Sequence, residues 1–161
     1  MILIPFRNSM QHAFSLLRQH RRVVDLRAKN KFTLSSMTWL GHHEFGLDHQ
    51  PYQFYRKASA QYSNHDLDYW LQLWCQTYAW LEYAKSDTAV FVCYEDLCKS
   101  EENWDHLAAL GNIAVEHRTG DRFRLSNKPV DVESDQCLAD NAAAIYELLV
   151  LKARSQVIGV G

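Results

Sequence analysis

Apolar and polar positions follow two rhythms along this chain. Unbroken apolar runs occur at Ile2–Phe6 and in "TAVFVCYED" (88–96), each closed by polar residues, as buried parallel strands require. Pro5 cannot donate a ladder hydrogen bond, which places it at an edge or near the end of its strand. Elsewhere the apolar residues recur at helical spacing. Asn8 followed by Gln11 resembles a capping box and predicts a helix from about Ser9, with Ala13, Leu16, Leu17, Val23 and Val24 as its buried stripe. A second helix is expected over about 32–40, ending near Gly41. The clearest helix lies in "SNHDLDYWLQLWCQTYAWLEYAKS", capped by Ser63 or Asn64, with Lys85 at its negative end. Its stripe is Leu67, Trp70, Leu71, Trp74, Tyr78 and Leu81, with Leu73 and Trp80 on other sides. "SEENWDHLAALG" reads as a capped helix stopped by Gly111. "SDQCLADNAAAIYELLVLKAR" reads as a last helix facing inward through Leu138, Ala142, Ile145, Leu148 and Leu149. The stretches 41–57 and 116–135 lack periodicity and read as loops. The pattern predicts a single α/β domain over 1–161, mostly helical, with few parallel strands.

Composition narrows the class. The chain has 161 residues, 47% of them hydrophobic and 22% charged, enough for one core and unlike a disordered chain. No apolar run approaches a membrane-spanning length, and the N-terminus lacks the form of a secretory signal. Cys75, Cys93, Cys98 and Cys137 are widely spaced, with no C-x-x-C pair, so reduced structural thiols in a cytoplasmic protein are expected and a zinc site is not. Cys98 is the least buried-looking of the four.

Net charge is −2 but unevenly spread: residues 1–35 hold seven Arg or Lys against Asp25 alone. A basic first segment on an acidic remainder suggests a local anion site, although 18–31 by itself reads as a solvated helix face. The chemistry concentrates at "IPFRNSMQHAFS". An arginine at the carboxyl end of a strand offers a planar fork of donors, and the helix start beyond it adds free N–H groups and a positive dipole end. Arg7 and Asn8 therefore form a candidate phosphate site, to which the Ser15 hydroxyl can add a donor.

Those residues resemble the 3′-phosphate-binding segment of the sulfotransferase family, which uses 3′-phosphoadenosine 5′-phosphosulfate. That segment has a strand, an Arg followed by Asp or Asn, and a Ser eight residues after the Arg; Ser9 stands where the family commonly has proline. Downstream, residues 68–111, with "YEDL" after the second strand, are similar to the family's aromatic helix, strand, turn and following helix. The resemblance implies a partial P-loop-transferase-like three-layer fold, with Arg7, Asn8 and Ser15 on the 3′-phosphate and Tyr94 by the adenine. It implies 3′-phosphoadenosine 5′-phosphosulfate, or adenosine 3′,5′-bisphosphate, as co-substrate, and sulfuryl transfer to a hydroxyl or amine of a small molecule or glycan. The family's glycine-rich 5′-phosphosulfate loop is missing: Gly41, Gly46, Gly111, Gly120, Gly159 and Gly161 belong to no such loop. The late Arg-Lys-Gly element is also absent, with Arg122, Arg124 and Lys128 as the available cations. The expectation is a C-terminal portion of a sulfotransferase, inactive alone, whose two strands lose neighbours and drive homo-dimerisation. The alternative is a non-catalytic, self-associating or ligand-binding module.

"GHHEFGLDH" invites a metal reading, but H-E-x-x-H fails because Leu47 stands at the second histidine position, so no metal is expected. His43 and His49 are the candidate proton acceptors. No motif supports a Cys-His nucleophile, and the cluster 18–31 lacks the aromatic interleaving of a nucleic-acid surface.

Overall fold

A computed structural model of the chain describes residues 1–52, 61–84, 88–114, 124–125 and 129–158. Strand β1 (Ile2–Phe6) leads into helix α1 (Ser9–Lys29), then α2 (Lys31–Trp39), α3 (Leu67–Tyr83), strand β2 (Ala89–Cys93), the single turn α4 (Tyr94–Leu97), α5 (Glu101–Leu110) and α6 (Gln136–Ile158). The protein is thus α/β and mostly helical. The two strands pair directly and in parallel, from Ile2 opposite Ala89 to Phe6 opposite Cys93. Among the described residues they form the whole sheet. Lys85, expected at the end of α3, lies outside the described residues, as do 116–123 and 126–128 of the long loop, with Arg122 and Lys128.

Asn8 caps α1 as its spacing predicts, its side chain accepting from Gln11 N at 3.1 Å. Ser100 does the same for α5 through Glu102 N. The start of α3 differs from expectation. Asp66 occupies the cap position without a side-chain cap bond, while the carbonyl of Asn64 accepts from Trp70 Nε1 at 2.9 Å. Anchoring the indole moves the boundary two to three residues along.

The core forms where α1, α3 and α6 meet the Phe6 end of the sheet. It gathers Ala13 and Leu17 from α1, Ala142 and Leu149 from α6, and Leu67, Trp70, Leu71, Trp74 and Tyr78 from α3. Each large side chain buried in this way contributes about 1.5–3 kcal/mol, so α3 is the main source of burial. Phe6 meets Tyr78, Phe91 and Tyr146 edge-on at 5.9–6.5 Å. Two expectations need correction. Val23 and Val24 are only half-buried, and their place in the α1 stripe is taken by His20 and Arg27, 0% and 2% exposed. Leu148 faces outward, because the inward stripe of α6 runs through Ala142, Leu149 and Ala153.

The strand β1 is less buried than its apolar run suggests. Ile2 and Leu3 are 58% and 42% exposed, because the helices cover only the Phe6 end of a sheet two strands wide. Its edges, expected to be open, carry caps. Ile2 N donates to Thr88 O, so the alternate residues Leu3 and Pro5 turn their backbone groups outward. Pro5 has no N–H, and its carbonyl accepts from Tyr78 Oη at 2.8 Å. On β2, the Gln156 side chain accepts from Phe91 N at 2.9 Å and donates to Ala89 O at 3.0 Å, standing in for a neighbouring strand.

Gln156→Ala uncaps this edge and leaves a partly buried N–H without its partner, which costs about 1–3 kcal/mol. Urea denaturation should show that loss, and light scattering should show more self-association than in the unaltered chain. Unchanged stability would remove Gln156 from this role.

Candidate functional site

The parallel register brings the ends of β1 and β2 together, and with them two turns that are far apart in sequence. Asn8 N donates to Glu95 Oε1 at 2.8 Å, locking the β1–α1 turn to the β2–α4 turn. Tyr146 Oη donates to Glu95 Oε2 at 3.2 Å from α6, and Cys93 Sγ lies 3.5 Å from the same oxygen. Burial pushes the Tyr146 phenol and the Cys93 thiol upward, so both stay protonated beside the carboxylate.

Arg7 is half-buried at this junction, and its Nε is shut from solvent with no hydrogen-bond partner. Four N–H groups at a helix start lack intrahelical partners. Here Asn8 N is taken by Glu95 and Gln11 N by Asn8 Oδ1, which leaves Ser9 and Met10 N–H without an assigned partner among the described residues. Arg7 and these amides make a cationic, donor-rich corner at the carboxyl end of a parallel sheet, where α/β folds place ligands. His12, one turn into α1, completes it. Burial, then the Arg7 charge, lowers its pKa to about 4 against the pull of Glu95, so it is neutral at pH 7.

The sequence candidates divide between two places. Arg7, Asn8 and Tyr94 share this corner, with Tyr94 Oη donating to Arg124 O at 3.0 Å. That bond brings the sequence-flagged Arg124 to the site through its backbone. Burial and a bond to the Cys98 side chain raise the pKa of Tyr94. Ser15 is exposed on α1, six residues beyond Ser9 and about 9 Å farther along the axis. No protein-family model, no curated protein and no solved structure matches this chain. The site therefore stands on its own geometry. That geometry adds His12, Glu95 and Tyr146, which the sequence did not single out; the only signal for His12 was its place one turn after Asn8.

His43 and His49 lie at the far half of α1. His20, against which His49 packs at 5.4 Å between ring centres, is eleven residues beyond Ser9, about 16 Å along the axis. His43 Nδ1 is 2.9 Å from Asp48 Oδ2, and Asp48 pairs with buried Arg27, whose Nη2 donates to His42 O at 2.6 Å. Arg27 is thus no part of a solvated basic face. Gly46 sits against its guanidinium with a φ of 103°; a Cβ there would come within 2.8 Å of Arg27. His49 Nε2 is 2.8 Å from Tyr69 Oη. Both histidines are held in this packing, and no metal-holding cluster occurs among the described residues. Of the four thiols, Cys137 rather than Cys98 is exposed.

His20 packs with His49, His65 and Trp70, ring centres 5.2–5.5 Å away. Its Nδ1 accepts from Gly46 N at 3.3 Å, so the proton sits on Nε2, which is buried without a partner. Burial, then His49, His65, Arg21 and Arg27, lowers its pKa to about 4. The unfolded state therefore binds this proton more readily, and its contribution to stability is intact above about 6.5 and falls as pH drops towards 4. The loss is on the order of 3 kcal/mol. Urea midpoints should fall over that range, and His20→Asn should make the slope shallower, with the share that His12 contributes remaining. Asp48→Asn strands the buried Arg27 charge and should cost on the order of 3 kcal/mol, while adding Arg27→Met should restore part of the loss. Equal stability of the single and double variants would refute the pairing.

Proposed function

We propose that the Arg7 corner binds the 3′-phosphoadenosine end of 3′-phosphoadenosine 5′-phosphosulfate, in a sulfotransferase-like protein that moves sulfuryl groups to hydroxyl or amine acceptors. The observation that carries this reading is the convergence of Arg7, the Ser9 and Met10 amides and Tyr94 at one end of the parallel pair. A dianionic phosphate suits that corner. Arg7 supplies a charged fork, the helix start supplies dipole and N–H donors, and Asn8 shapes the turn by capping. In this reading the phosphate lies at the start of α1 against Arg7 and the Ser9 and Met10 amides, with the Ser15 hydroxyl about 9 Å farther along the helix, and the Tyr94 ring borders the adenine. The three-layer, P-loop-transferase-like architecture belongs to the same proposal.

Sulfuryl transfer is an in-line displacement that depends on charge stabilisation around the moving group. In the sequence none of the six glycines stands in a glycine-rich stretch of the kind that cradles a 5′-phosphosulfate. This chain then holds the distal end of the nucleotide and performs negligible transfer alone. Among the described residues His12 is the imidazole at the corner, whereas His43 and His49 are tied into the packing at the far half of α1. The alternative, a self-associating module without this ligand, draws on the exposed Ile2 and Leu3.

Calorimetric titration with adenosine 3′,5′-bisphosphate separates the two. The expected result is saturable binding, weaker for adenosine 5′-monophosphate and reduced about tenfold or more by Arg7→Ala. Absence of heat at millimolar nucleotide, or equal affinity in the variant, would leave the module reading in its place.

A further inference from the structure

Away from the Arg7 corner, a concavity lies between β2, α5 and the last turns of α6. It encloses about 420 Å³, within the range of small-molecule sites. Val90, Val92, Leu97, Leu107 and Leu110 supply most of its wall, with Ala153 closing the α6 side. These residues come from four elements and leave the space unfilled.

The polar lining is confined to one cluster. Asp96 receives Arg154 Nε at 3.0 Å and Arg154 Nη2 at 3.2 Å, together with Lys99 Nζ at 2.8 Å. Asn103 Nδ2 donates to the Asp96 carbonyl at 2.7 Å, fixing the turn that carries the carboxylate. These cations hold Asp96 below the usual carboxylate range, so it stays ionised. Two cations against one anion leave a unit of positive charge at the mouth. Lys99 spends one of its three N–H donors on Asp96 and Arg154 two of its five, so donors remain for an incoming group. Both side chains are more than half exposed, which lets them turn towards a ligand.

We infer that this concavity binds an amphiphile with an aliphatic body and a single anionic head, of the medium-chain carboxylate class. The body replaces water against the valine and leucine wall, and the head meets Lys99 and Arg154 at the rim. Charge complementarity selects the head: a cationic amphiphile would face the two basic groups, and a neutral alcohol would forgo the charge-assisted bonds. The inference is independent of nucleotide binding, because Lys99, Arg154 and the valine and leucine wall take no part in the Arg7 corner, although Cys93 borders both places.

Calorimetry on the full chain with decanoate, decanol and decyltrimethylammonium below their aggregation concentrations tests it. The expected result is one saturable decanoate site, with decanol about tenfold weaker and no saturable binding of the cation. Leu107→Trp and, separately, Leu110→Phe fill the space and should abolish decanoate binding while circular dichroism and the thermal midpoint stay native. Arg154→Gln should bring decanoate affinity down to that of decanol. Failure of decanoate to saturate, or retained binding in both well-folded filled variants, overturns the site. Equal affinity for acid and alcohol overturns the anionic head.

Discussion

Glu95 joins three parts of the chain that are otherwise distant in sequence. Its carboxylate takes the Asn8 amide at the start of α1 and the Tyr146 hydroxyl of α6, while its own backbone follows directly from β2. A parallel strand pair cannot close through a tight turn; it needs a crossover, here supplied by α1, α2 and α3. The register of five residue pairs leaves the two strand ends level, and the Glu95–Asn8 bond fixes the turns that leave them. Arg7, His12 and Tyr94 owe their proximity to that closure.

The same carboxylate shapes the electrostatics of the corner. It satisfies one of the four orphan amides of α1, so an anion bound there as proposed would share the helix start with it. His12 cannot compensate with charge, because burial and Arg7 keep it neutral at ordinary pH. Attraction for a phosphate must then come from Arg7 and from the Ser9 and Met10 amides. That arrangement favours a ligand able to use a planar fork and two converging N–H groups together.

Most element boundaries were legible because periodicity and caps are local properties. Asn8, Ser100 and the apolar stripes needed only neighbouring residues to be read. Burial was not local. Arg27 occupies a stripe position, but charge made it read as solvent-facing, and only Asp48, twenty-one residues on, explains how it can be buried. His20 was hidden in the same way, since its partners His49 and His65 come from segments whose placement no spacing reveals. At the corner, the strand-end arginine and the "YEDL" turn could be seen in sequence order, whereas His12, Glu95 and Tyr146 acquire meaning only once the strands pair. The histidine-rich loop drew attention as chemistry, yet its Asp48 is held by a buried guanidinium.

The sheet also shows how a small parallel pair limits unwanted pairing without further strands. Proline removes one donor from the outer edge of β1, and a tyrosine hydroxyl, kept protonated by burial that pushes it up to about 12, occupies the Pro5 carbonyl. A glutamine amide, with one donor and one acceptor at peptide-like spacing, covers part of the β2 edge. Association through strand addition therefore has to displace side-chain bonds before gaining backbone ones. The exposed Ile2 and Leu3 side chains carry no such protection, so contact through this end of the sheet would be apolar rather than an extended ladder.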